Sequence, residues 1–203
     1  MSIIHTFNLS MVQWSWVIIA AFLVGFSKTG ISGFLMPVIP ILAGVFGGKE
    51  STGVILPLLI IGDVFALYYY NRHADWENIK KLLPWTLIGL VLGVVVGNFI
   101  NDKEFKMVIS ISVLLCLVAL IYTEKKGENL KVPQNRWFYA LAGIATGFTS
   151  MIGNAAGPIF SVYLLTMNFK KNDFMGTTAW FFFLINLTKV PLQIFFGIIY
   201  QLK

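Results

Sequence analysis

The chain has 203 residues, is 57% hydrophobic and 12% charged, and carries a formal net charge of +6 with a mean hydropathy of +0.78. A soluble domain of this length cannot bury so much apolar surface, so the excess needs lipid. The basic residues sit in short loops with no interleaved stacking aromatics, which argues against a nucleic-acid partner. Together these features predict an all-α, polytopic helical membrane protein.

In chain order, the stretch from Val12 to Asn71 carries only Lys28, Lys49, Glu50 and Asp63 as charged groups. Leu82–Asn101, Met107–Thr123 and Trp137–Phe169 carry none, and Phe174–Tyr200 carries only Lys189. Each stretch is long enough for a hydrocarbon core of ~30 Å. Trp14 to Phe46 is 33 residues, which as one helix would be ~50 Å and overshoot the membrane. It is therefore expected to break within "GFSKTGISGFLMP" (Gly25–Pro37), leaving Trp14–Phe26 and Phe34–Phe46 as half-helices. Spans over Leu82–Ile100 and Phe105–Tyr122 follow. Trp137–Thr146 and Ala155–Met167 repeat the broken device, and a last span contains Asn186.

His5 and His73 lack ligand spacing and Cys116 is a single cysteine in an apolar run, so no metal site, disulfide framework or cofactor is expected. The N-terminus lacks the pattern of a cleavable signal. Gly89, Gly93 and Gly97 form a doubled GxxxG, as Gly143 and Gly147 form a single one, both suited to close helix packing.

The chain contains an internal duplication. "GFSKTGISGFLMP" matches "GFTSMIGNAAGP" (Gly147–Pro158) with one residue deleted, and each follows an apolar run. Gly53 precedes Asp63 by the ten residues that separate Gly176 from Asn186. The reading divides the chain into a first half over 1–123, a cytoplasmic linker over 124–136 and a second half over 137–203. If each broken helix is a re-entrant V, nine Lys and Arg fall on one side and four on the other. That obeys the positive-inside rule better than single broken spans, and makes the repeat inverted.

The duplicated Gly-Phe-polar-Gly-Pro motif, with "NLTKVP" (Asn186–Pro191) after the second copy, resembles the sulfite exporter TauE/SafE family of membrane transporters. The resemblance implies two homologous halves, a multi-pass location in the bacterial inner membrane, and movement of sulfur-containing anions. Such anions include sulfite, sulfoacetate and taurine degradation products. The second half has no counterparts of the spans Leu82–Ile100 and Phe105–Tyr122, so either a truncated chain or a short variant is expected.

Non-helical backbone in a bilayer survives only inside the bundle or lining a polar cavity. The breaks are thus expected to present Ser27, Lys28, Thr29 and Ser32 from one half, with Thr149, Ser150 and Asn154 from the other. Gly30, Gly33, Gly153 and Gly157 would allow close backbone approach to a ligand. The N–H groups that begin the second half-helices favour an anion. Lys28 is the first candidate for a fixed positive charge and Lys189 the second, with Asn186 three residues earlier on the same helical face. Asp63, as the acid inside a span, would neutralise a lysine or take part in coupling.

The expected function is secondary transport, in the export direction, of a small sulfur-containing anion. An anion channel is the alternative, separable by saturable, gradient-linked flux. A membrane enzyme is disfavoured, since no catalytic triad or metal site is evident, and a structural subunit leaves the matched polar breaks unexplained. The expected partners are a small anionic substrate, membrane lipid and a possible homodimer.

Overall fold

The computed structural model describes residues 9–29, 32–126, 135–165 and 169–195, and all statements below concern these. α1 (Met11–Ser27) starts at a capping box in which Ser10 and Gln13 satisfy each other's backbone N–H groups. A 3-10 turn (Ser32–Leu35) leads to α2 (Val38–Phe46). Gly47, at φ +105°, turns the chain directly into α3 (Gly48–Tyr70), a conformation that favours glycine. α4 (Trp76–Phe99) is capped by Asp75, and α5 (Asp102–Lys126) follows it. α6 (Arg136–Gly153), α7 (Gly157–Leu165) and α8 (Lys171–Phe195) complete the described chain. No strand occurs among the described residues.

α3, α4, α5 and α8 are long and apolar enough to cross a membrane. Their outward faces carry exposed Phe65, Tyr68, Phe99, Leu115 and Phe195, which lipid would solvate. The chain is a multi-pass membrane protein.

Both breaks fall where the motifs predict, but their arms are unequal. α1 and α6 have 17 and 18 residues, and α2 and α7 have 9 each. At 1.5 Å per residue the long arms are ~26 Å and the short arms ~14 Å, in place of the equal arms expected at the first break. α6 does not stop near Thr146; it runs on through Thr149 and Ser150 to Gly153. Asn154 ends it in the left-handed region, at φ 54°, where asparagine is among the few tolerated side chains. The expected linker is also shorter, since α5 extends to Lys126 and Arg136 opens α6.

The second break is a re-entrant turn. The Tyr163 ring, near the end of α7, packs at 6.0 Å on both Phe138 and Tyr139 at the start of α6. Its hydroxyl donates to Asn78 Oδ1 at 2.9 Å, at the start of α4. α7 therefore comes back to the side from which α6 set out.

α4 and α6 run parallel and interlock through their glycines. A Cβ on Gly147 would lie 2.1 Å from the Thr86 carbonyl oxygen, and one on Gly89 would lie 2.2 Å from that of Ile144. Gly143 meets Trp85 and Leu82, while Gly93 meets Met151. Without a water-driven force between membrane helices, such close backbone approach supplies the dispersion contacts that hold them. Gly97 faces Phe105 of α5 instead.

α3 and α8 run antiparallel. Gly176 sits against the Tyr70 and His73 carbonyls, while Asn186 reaches Asp63. The turn between α3 and α4 is fastened to α8 by two bonds: the Asp75 N–H donates to Thr177 Oγ1 at 2.9 Å, and the Trp180 indole N–H donates to the Asn71 carbonyl at 3.1 Å. The starts of α4, α6 and α8 thus share one end of the bundle, and Arg72, Lys80, Lys81, Arg136 and Lys171 share it with them.

Candidate functional site

Asp63 stands at the centre of a polar cluster where α3 meets α8. It is fully buried, and a buried carboxylate persists only when paired. Its Oδ1 accepts from Lys28 Nζ at 2.6 Å and its Oδ2 from Asn186 Nδ2 at 2.7 Å. Lys28 follows directly on the end of α1, where its backbone N–H caps the last turn. Its stem lies along α3 at Gly62, where an added Cβ would come within 3.3 Å of Lys28 Cγ and Cε. Glycine at that position thus forms the slot through which the ammonium reaches the acid. Lys28 also lies 5.7 Å from the centroid of the Phe182 ring, within cation–π range.

Lys189 is held differently. It is fully buried, one turn along α8 from Asn186. Its ammonium donates to Asn154 Oδ1, to the Ser150 carbonyl at 3.2 Å and to Ser150 Oγ at 3.3 Å. All three acceptors are neutral, and the last two distances are long for hydrogen bonds. Among the described residues no carboxylate lies within ion-pair distance of it. The Nδ2 of Asn154, likewise buried, has no partner among the described residues.

The two lysines border one cavity of about 70 Å³. Ser27, Lys28, Asp63, Ser150, Asn154, Asn186 and Lys189 line it, joined by residues from α7 and α8. A water needs only ~10–15 Å³ of such volume, so the space suits a few waters or one compact solute. It falls short of the ~300 Å³ and more typical of drug-sized ligands.

Eight of the residues singled out in the sequence, Gly157 among them, therefore converge here. The Thr29 hydroxyl donates back to the Phe26 carbonyl and that of Thr149 to the Ala145 carbonyl. Gly153 faces Ile109 and Ile39 rather than the cavity. Ser32 and Gly33 belong to the 3-10 turn, and Gly30 lies outside the described residues. Sequence reasoning missed Ser161, Thr178 and Phe182, which line the cavity, and Gly62. Cys116, set aside as a lone apolar-helix cysteine, donates its thiol to the Ala155 carbonyl at 3.2 Å, satisfying an acceptor that the second break exposes.

A buried cavity with a polar cluster, between two broken helices and two spanning helices, is a transporter's arrangement. The profile of the family described as Sulfite exporter TauE/SafE matches residues 17–202. The chain belongs to the TauE/SafE family. A probable membrane transporter protein, MamO, of Paramagnetospirillum magneticum is 26% identical over 133 residues, covering 54% of this chain and 20% of its own length. A K(+)-insensitive pyrophosphate-energized proton pump of Methanosarcina mazei is 30% identical over 101 residues, covering 45% of this chain and 15% of its own length. The chain thus spans a fifth or less of these two curated relatives. No solved structure matches it. The TauE/SafE family's description is one of membrane transport.

Proposed function

We propose that the protein is a secondary transporter that exports a small sulfur-containing anion, sulfite or a compact organosulfonate, through the cavity between α3 and α8. One observation carries the reading: the cavity is bordered by two lysines and a single carboxylate, and Lys189 rests on neutral oxygens alone. In a low-dielectric interior an ammonium without a counter-ion is costly, and a bound anion would offset that cost. The ammonium would exchange its long contacts to Ser150 for charge-assisted bonds to sulfonate oxygens, while the Asn154 amide offers a further N–H. The small volume favours a compact oxyanion over an extended one.

The site supports an inverted repeat as its frame. Asp63 and Asn186, equivalent by the ten-residue spacing, bond to each other from antiparallel helices. In each half a lysine ties the break to the long helix behind it: Lys28 of the first break to Asp63, and Lys189 of α8 to Ser150.

The test is flux into proteoliposomes holding the purified protein. Sulfite movement that saturates and follows an imposed proton or ion gradient supports the proposal. Flux that stays linear with concentration and ignores the gradient favours an anion channel. No movement of sulfite, sulfoacetate or taurine products overturns the substrate class.

A further inference from the structure

We infer that Asp63 sets the charge of the anion accepted, so that the cavity takes monoanions and rejects dianions. This rests on the anion site proposed above. Lys28, Asp63 and Lys189 are the charged groups bordering the cavity. Lys28 and Asp63 cancel as a 2.6 Å pair, so the site holds one uncompensated positive charge, that of Lys189. A monoanion such as hydrogensulfite brings it to neutrality, whereas sulfoacetate, with an ionised sulfonate and carboxylate, falls on the excluded side. A dianion leaves one surplus negative charge in a small apolar-walled space beside the Asp63 carboxylate, where like charges repel strongly. The amide and hydroxyl donors present could serve either anion, since neutral donors do not read net charge. Selection therefore falls to the fixed acid. Asn186 holds that carboxylate in place through Oδ2, and the Gly62 slot keeps Lys28 on Oδ1 rather than free to serve a ligand.

Methanesulfonate and sulfate, a monoanion and a dianion at neutral pH with similar oxyanion faces, are suitable probes for titration calorimetry on the purified protein. The wild type should bind methanesulfonate at least roughly tenfold more tightly than sulfate. Asp63→Asn raises the site charge by one and should strengthen sulfate binding by roughly tenfold or more. Lys28→Gln lowers it by one and should weaken methanesulfonate binding by a similar factor. The double variant K28Q/D63N restores the original charge and should restore the wild-type preference, although the ion pair itself is gone. If D63N does not fold, K28Q and the double variant decide the matter by loss and recovery. Equal wild-type affinity for the two probes, or a double variant that keeps the K28Q defect, would overturn charge selection by Asp63 while leaving the anion site standing. Failure of the wild type to bind either probe would instead remove the site, and the inference with it.

Discussion

At the scale of single residues, the two lysines have opposite energetics. Lys28 compensates a fully buried acid, so removing its charge strands Asp63. Breaking a buried pair from one side costs about 3–5 kcal/mol. Lys28→Gln should accordingly lower the melting temperature in detergent, and adding Asp63→Asn should recover most of the loss. Lys189 has no carboxylate to strand, and a neutral amide is cheaper to bury than an ammonium. Lys189→Gln should therefore melt at or above the wild-type temperature. A large drop on that change would show that Lys189 is a structural cation. The sequence made Lys28, Asp63, Asn186 and Lys189 legible because each is a polar anomaly in an apolar run. It did not show how they pair, since the pairing depends on the antiparallel crossing of α3 and α8. Thr29 and Thr149 look as polar as Ser150 in the sequence. Their hydroxyls turn back onto carbonyls three or four residues earlier in the chain, a local option open to any threonine in or just after a helix. Gly62 and Phe182 gave no signal, because a glycine or phenylalanine in a membrane helix is ordinary.

At the scale of elements, the glycine and proline motifs located the breaks but not the residues that end each helix. Glycine is tolerated inside membrane helices because neighbouring helices re-satisfy the backbone, so α6 passes through Gly147 and stops only at Asn154. Gly147 has a different task, as the closest approach of α6 to α4. Gly147→Leu forces atoms into the Thr86 and Leu90 backbone, and Gly93→Leu meets Met151 in the same seam. Overpacking of this kind costs about 1–3 kcal/mol or more, so both variants should melt lower. Gly44 has nothing within 4 Å of an added Cβ. Gly44→Ala should leave the melting temperature unchanged or raise it, given the roughly 1 kcal/mol helix preference of alanine over glycine. Equal effects at Gly44 and Gly147 would show that the seam is not the reason for the loss.

At the scale of the whole molecule, the fold class followed from composition and charge-free runs alone, and the topology followed less directly. The charge count favoured re-entrant breaks, and the contacts of Tyr163 with α6 and α4 bear this out for the second one. With α4, α6 and α8 starting at the same end, cysteines introduced at Arg72, Arg136 and Lys171 in a Cys116→Ser background should label from one face of sealed vesicles. A cysteine at Asn101, at the far end of α4, should label from the other. Labelling of Lys171 from the face opposite to Arg136 would break the re-entrant arrangement.

The central claim is that this family member binds a compact anion on Lys189, in a cavity whose other charges cancel. The most direct measurement is sulfite binding to purified wild type and Lys189→Gln by titration calorimetry, with both shown folded by their melting curves. A charged hydrogen bond contributes about 1.5–3 kcal/mol, so the account predicts a roughly ten- to hundred-fold loss of affinity in a protein at least as stable as wild type. Wild-type affinity in folded Lys189→Gln would contradict it.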